Sequence, residues 1–260
     1  MTGVDRLISI YNSAETGSMT KNVIGHILQN LKQIDQMNIY DLADACYVSS
    51  ASISRIVKKL GYKNYSYFQK DISDCVHKYE HHNRIVPMDK VKEETDTADV
   101  FFQILEEMFE NIKQSFDKEA MTNLAIAIHE SRKIVLYAFE VSFAENFLQS
   151  DLFMSGKKCE VCRYVQDMLN STEELTENDL VIMVAPKQIE GISVKEILEK
   201  VKEKGAKVCL FTDSRHFNVL KKADYPFAFD GEMRSIDAFG LQSFLCILTM
   251  EYRRLYIDSE

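Results

Sequence analysis

Five short runs rich in β-branched and aliphatic residues, at 134–139, 160–164, 180–184, 207–212 and 225–229, alternate with segments of helical period at 142–155, 194–204, 216–222 and 236–256. That rhythm constrains the chain more than any other feature. Strands that alternate with helices build a mostly parallel sheet with helices on its faces. Two further helical patterns, 98–115 and 118–131, precede the first strand. The expected architecture of 98–260 is therefore an α/β domain around a mostly parallel, five-stranded sheet.

The first eighty residues contain no such runs and read as all helical. Apolar spacing predicts helices over 1–11, 20–33, 39–46, 50–60 and 65–79, with a turn at 47–49. Gly61 is placed to end the fourth of these as a C′ glycine. Pro87 and the charged stretch 89–99 then break the apolar pattern. The chain thus divides into a helical domain over 1–81, a linker over 82–97 and the α/β domain over 98–260. A length of 260 residues suits two domains, and 46% hydrophobic with 27% charged residues fits globular cores. No apolar run approaches the roughly 18 residues that cross a bilayer, and 1–11 lacks the apolar stretch of a signal peptide. A cytoplasmic protein without a membrane partner is expected.

The net charge of −9 taken alone argues against nucleic acid as a partner, but its distribution reverses the argument. Residues 1–82 hold nine Lys/Arg and eight Asp/Glu, whereas 83–260 hold 22 and 32. Within 55–70 there are five basic residues and no acidic one. The segment 39–60 has the pattern of a helix-turn-helix. Leu42 and the small Ala43 lie on its first helix, Val48 in the turn, and Ile53, Ile56, Val57 and Leu60 form an inward stripe on the second. Ser49 or Ser50 suits the N-cap. The outward face of the second helix is then read as Ser50, Ser52, Ser54, Arg55, Lys58 and Lys59. Small polar residues let a helix N-terminus approach base edges in a major groove, and basic residues further along reach phosphates. Lys63 and Tyr65 are placed to touch the DNA backbone. The competing interpretation is a helical hairpin with a solvated basic face.

Six scattered cysteines fit reduced thiols better than a disulfide framework. Cys159 and Cys162 form the single close pair, on a predicted strand where a spacing of three points side chains to opposite faces. No metal and no cofactor is expected.

Leu42-Ala43, Val48-Ser49, Arg55, the run Lys58-Lys59-Leu60-Gly61-Tyr62, Tyr65 and Phe68 together resemble the helix-turn-helix domain of the RpiR family of transcriptional regulators. That resemblance implies a C-terminal sugar-isomerase (SIS) domain, homodimers or higher homo-oligomers, double-stranded operator DNA as partner, and a sugar phosphate or related metabolite as effector. It implies regulation of carbohydrate metabolism. The SIS pattern G-x-G-x-S after the first strand corresponds here to Ala138-Phe139-Glu140-Val141-Ser142, which keeps only the serine. The second turn, S-x-S-G-x-T in the family, reads Ala185-Pro186-Lys187-Gln188-Ile189-Glu190-Gly191-Ile192-Ser193. Ser142, Lys187 and Ser193 are the residues left to hold a ligand. Glycine at such turns lets the backbone approach a phosphate, and a carboxylate at Glu140 repels one. Both serines also read as helix caps, with Glu145 and Glu196 three residues on. The phosphosugar site is therefore expected to be degenerate. The alternatives are an isomerase-type enzyme, for which no base has a partner at useful spacing, and an SIS-fold module that only oligomerises. A dimer through the C-terminal domain is expected from the apolar surface of helices 98–131 and 236–256. The regulator is not expected to be an enzyme.

Overall fold

A computed structural model describes residues 3–82, 85, 91, 96–138, 142–187, 192–231 and 235–258, with the side chains of 78–82, 192 and 193 outside the description. The chain divides into two compact units, Met1–Asn83 and Arg84–Glu260. Most of the expected linker, 82–97, lies outside the described residues.

The first unit is helical: α1 (Gly3–Ser13), α2 (Met19–Gln29), a 3-10 segment (Leu31–Gln36), α3 (Ile39–Ala45), α4 (Ser50–Lys59) and α5 (Tyr65–His82). The helix expected over 20–33 ends at Gln29. Asn30 stops it by donating its backbone N–H to Ile27 and its side-chain amide to the carbonyl of His26, after which the backbone tightens into 3-10 turns. Asn38 starts α3 with a capping box: its Oδ1 accepts from Tyr40 N at 2.8 Å and Asp41 N at 3.1 Å, while Asp41 Oδ2 accepts from Asn38 N at 3.0 Å. Gly61 closes α4 at φ 89°, where Tyr62 N bonds Val57 O and Gly61 N bonds Lys58 O, the two bonds of a Schellman motif. Leu7, Ile24, Ile27, Ile34, Leu42, Ile53, Phe68 and Ile72 form the centre of the core. Each such side chain contributes about 1.5–3 kcal/mol on burial.

The second unit opens with α6 (Thr97–Ser115) and α7 (Lys118–Glu130) and continues as β1 (Lys133–Ala138), α8 (Phe143–Met154), β2 (Lys158–Cys162), α9 (Val165–Thr172), β3 (Asp179–Val184), α10 (Ile192–Glu203), β4 (Lys207–Thr212), β5 (Tyr225–Ala228) and α11 (Asp237–Tyr256). The strands make one sheet in the order β2-β1-β3-β4-β5, with every pair parallel. Alternate side chains divide the sheet between two cores. Ile134, Leu136, Ile182 and Phe211 pack with α7, α8 and α11 residues such as Leu124, Leu148 and Leu245. Val135, Tyr137, Val181 and Leu210 pack with Met168 of α9 and Ile197 of α10 on the other face. Cys159 joins the first cluster and Cys162 the second, as their spacing on a strand demands.

Two expectations are corrected. No α-helix spans 216–222: Phe217 and Val219 are both buried against the second core, a spacing of two that an α-helix cannot present to one side, and only Leu220–Lys222 forms a 3-10 turn. Helix α9 was not foreseen. Its eight residues bury Met168 and Thr172, too short a period to stand out, and no side chain caps its start.

Candidate nucleic-acid interface and the cavity at the sheet end

Helices α3 and α4 are joined by Cys46 to Ser49, with Tyr47 in the left-handed region at φ 55° and 96% exposed. Left-handed backbone turns the chain sharply enough for Val48 to donate its N–H to the carbonyl of Ala43 at 2.9 Å. Ala43 is buried at the crossing and leaves room for α4. Ser49 is the N-cap of α4, with φ −77° and ψ 152°, and its Oγ accepts from Ser52 N at 3.2 Å.

The face that α4 presents to solvent differs from the expected one by a residue. Ser52 is 6% exposed, because Ser52, Ile53, Ile56, Val57 and Leu60 form the inner stripe at helical spacing. Ala51 is exposed in its place, followed by half-buried Ser54 and exposed Arg55, Lys58 and Lys59, with half-buried Ser50 at the helix start. Ser52 holds a different position. Its hydroxyl lies 3.0 Å from Ser49 Oγ and accepts from Arg55 Nη2 at 3.2 Å, so N-cap, buried serine and exposed guanidinium are linked in one chain of hydrogen bonds.

Lys63 is exposed beyond Gly61. Tyr65 is not free to meet a phosphate with its hydroxyl: Oη donates to the Met37 carbonyl at 2.9 Å, and burial, the largest cause, together with the Asp41 charge pushes its pKa up to about 12. Gln69 Nε2 reinforces the same tie by reaching the carbonyls of Ile34, Asp35 and Met37. The spacing that put Tyr65 beyond the recognition-type helix did not show that α5 turns it back onto the 3-10 segment. Tyr47 and Ala51 are the exposed residues of this face that sequence patterning missed. Ala51 had a signal in its spacing of four and seven from Arg55 and Lys58, whereas the positive φ at Tyr47 had none, since tyrosine carries no preference for it.

In the second unit, β1 runs to β2 on one side and β3 continues to β4 on the other. The carboxyl ends of β1 and β3 are thus a topological switch point, where open α/β sheets place ligands. A cavity of about 30 Å³ lies there, walled by Ala138, Ser142, Glu145, Pro186, Leu241 and Gln242 among others. That volume accommodates one or two waters. Ser142 is the N-cap of α8, with Oγ accepting from Glu145 N at 3.3 Å. Glu145 is buried and receives Arg163 Nη1 at 2.7 Å. Burial raises its carboxyl above the usual range, against the opposing hydrogen bond and charge of Arg163. The described contact of Lys187 is its backbone N–H, donated to Asp213 Oδ1 at 2.5 Å. Asp213 titrates at about 6, raised first by burial and then by the nearby Asp237 charge. Its Oδ2 has no hydrogen-bond partner among the described residues. Glu140 and the Ser193 side chain lie outside the described residues. Among the described residues no group of three or more His, Cys, Asp and Glu side chains is arranged to hold a metal, and no helix is long and apolar enough to cross a membrane.

The family model for the helix-turn-helix domain of the rpiR family matches residues 8–78. The HTH-type transcriptional regulator RpiR of Escherichia coli (strain K12) is 25% identical over 190 residues, covering 72% of this chain and 63% of that protein. The chain therefore spans less than two thirds of that relative's length. An uncharacterised HTH-type transcriptional regulator from the aarA 3′ region of Providencia stuartii is 24% identical over 209 residues, covering 76% of this chain and 71% of its own. Among solved structures, the Vibrio vulnificus NanR protein complexed with ManNAc-6P superposes with a TM-score of 0.54 at 17% identity, covering 99% of this chain and 93% of that one. The sugar isomerase domain of the RpiR transcription factor from Sphaerobacter thermophilus gives 0.51 at 21% identity, covering 60% of this chain and 91% of that one. These two likenesses establish the fold: a helical unit followed by an SIS-like α/β unit.

Proposed function

We propose that the chain, whose residues 8–78 match the helix-turn-helix model of the rpiR family, is a cytoplasmic, sequence-specific DNA-binding transcriptional regulator of carbohydrate metabolism, with α4 as the helix that enters the major groove. The observation that carries this reading is the exposed face of α4. Arg55, Lys58 and Lys59 are exposed on it, α4 contains no acidic residue, and Lys63 follows beyond the glycine turn. Ser49, Ser50, Ala51 and Ser54 surround the helix start with small side chains that admit a close approach to base edges. Arg55 is assigned the base contact, and Lys58, Lys59 and Lys63 the phosphates. The partner is double-stranded operator DNA, bound by a homodimer that matches two half-sites.

The SIS-like unit is assigned assembly and a sensor role with an altered site. NanR of Vibrio vulnificus was solved with ManNAc-6P, and a sugar phosphate or related metabolite is the effector class proposed here, with Ser142, Lys187 and Ser193 as its residues. A second reading, an oligomerisation module without ligand, draws support from the 30 Å³ cavity and the Glu145–Arg163 pair beside it. An isomerase reading is weaker. It needs a carboxylate or imidazole free to move a proton at the sugar, and Glu145, the carboxylate on the cavity wall, is held by Arg163.

Fluorescence anisotropy with duplexes from the DNA flanking the protein's own coding region tests the regulator reading. Specific binding is expected to exceed non-specific binding by about 10³ or more at physiological salt. Arg55→Ala is expected to cost about 1–3 kcal/mol on the specific duplex and little on others. A folded Arg55→Ala chain with unchanged discrimination between duplexes sinks the assignment.

A further inference from the structure

Five of the described residues have a positive φ, and four of them are glycines: Gly17, Gly61, Gly156 and Gly205. The fifth is Tyr47, at φ 55°. It ends α3 as Gly61 ends α4. Tyr47 N bonds Asp44 O at 3.1 Å and Val48 N bonds Ala43 O at 2.9 Å, the same Schellman pair that Gly61 and Tyr62 make to Lys58 and Val57. Glycine takes that position freely, whereas a Cβ there crowds the following carbonyl. The turn therefore favours glycine, yet the chain holds a tyrosine in it.

The fold makes no use of the ring. Tyr47 is 96% exposed, and among the described residues its side chain makes no hydrogen bond, ion pair or ring contact. Other tyrosines of the same unit are employed in the core: Tyr62 and Tyr65 both pack on Phe68. An exposed tyrosine on regular backbone needs no explanation. One held on strained backbone, where packing gains nothing from it, points to a contact outside the chain.

Its position identifies that contact. Tyr47 lies two residues before the Ser49 N-cap and so stands beside the start of the face that carries Ser50, Ala51, Ser54 and Arg55. When a helix enters a major groove, the sugar-phosphate backbone runs past the elements that lead into it. From Asp44 to Val48 the Tyr47 phenol is the one strong side-chain donor. Exposed Asp44 has no proton to give a phosphate at neutral pH, whereas tyrosine hydroxyls bond phosphate oxygens. We propose that Tyr47 is a DNA-contacting residue, its hydroxyl donating to a phosphate at the edge of the groove that α4 enters. The proposal rests on the regulator reading given above and adds to that interface a neutral contact that charge and helical period do not reveal.

Fluorescence anisotropy of the full chain with duplexes from the DNA flanking its own coding region, and with an unrelated duplex of equal length, tests it alongside urea unfolding. Tyr47→Phe keeps the ring and the strained backbone and removes the hydroxyl. It is expected to weaken binding to both kinds of duplex about 10-fold, the loss of one hydrogen bond to a charged group. The salt dependence is expected to stay that of wild type, because a phenol displaces no counterion. Tyr47→Gly removes side chain and strain together. It is expected to bind no more tightly than Tyr47→Phe, yet to unfold at a urea concentration no lower than wild type. Wild-type affinity in both variants overturns the proposal. So does affinity lost in Tyr47→Gly but kept in Tyr47→Phe, which assigns the contact to the ring and not the hydroxyl. A Tyr47→Gly chain that unfolds more easily than wild type also overturns it, since the ring then serves the fold. The wild type separates this proposal from the reading beneath it. A wild type that binds no duplex removes the regulator and this contact with it, whereas one that binds and is indifferent to Tyr47 leaves the regulator standing and removes the contact alone.

Discussion

Asp213 shows what a single buried carboxyl does at the end of a strand. It accepts the Lys187 N–H with one oxygen, and burial beside Asp237 moves its titration to about 6. In the unfolded chain the group titrates near 3.9. Between those values the folded state keeps a proton that the unfolded state has released. The contribution of Asp213 to stability therefore falls as pH rises from about 4 to 6, and above that the native state carries an unfavourable buried charge. Asp213→Asn retains an oxygen for the Lys187 N–H and removes the charge. Urea unfolding at pH 7.5 is expected to show the variant more stable than wild type by about 1–3 kcal/mol, with the difference vanishing near pH 4. A variant less stable at pH 7.5 contradicts this account of the site. At the same scale, the sequence made Arg55, Lys58, Lys59 and Lys63 legible as exposed bases. It did not reveal that the Tyr65 hydroxyl is spent on Met37, a partner 28 residues away.

Helix α4 carries most of the functional argument, and its first turn is wired rather than merely capped. Ser49 stabilises the start, Ser52 is buried behind it, and Arg55 is anchored one turn later. An anchored guanidinium loses less rotamer freedom on meeting a base than a free one. Ser52→Ala keeps the Ser49 cap on the backbone N–H and removes the anchor. It is expected to weaken specific DNA binding by about 0.5–1.5 kcal/mol while leaving the salt dependence of binding unchanged, because no phosphate contact is lost. A steeper or shallower salt slope together with unaltered sequence discrimination excludes the positioning role. Apolar spacing alone places Ile53, Ile56, Val57 and Leu60 inward, and the serine is assigned to the outward face only because it is polar, although its spacing of four from Ile56 extends that stripe inward. With Ser52 taken as core, Ala51 moves outward and the rest of the face stands.

For the whole molecule, the parallel sheet sets where a ligand can meet the chain, and side chains decide how much room is left there. The switch point between β1 and β3 is present, yet the cavity measures about 30 Å³ and has Glu145 on its wall, paired with Arg163. An anion entering it meets a buried carboxyl and a guanidinium already engaged. Because the site proposed for the effector is altered, titration calorimetry of the full chain with hexose and amino-sugar phosphates is expected to show binding weaker than micromolar. Micromolar binding abolished by both Ser142→Ala and Lys187→Ala shows instead that the site of the wider family survives.

The sequence by itself determined the kind of elements and their layering. Apolar period separates the helical first unit from the strand-rich second, and the basic run 55–70 stands out against an acidic chain because local composition needs no fold to be seen. Other features came only from tertiary structure. The order β2-β1-β3-β4-β5 depends on crossovers between segments far apart in the chain. The irregular path through Phe217 and Val219 follows from a core that takes both side chains, against local helical spacing. The burial of Ser52 behind α4 and the pairing of Glu145 on the cavity wall with Arg163 depend on what packs behind each helix. A one-dimensional pattern records periodicity but not which neighbour, tens of residues distant, completes the contact.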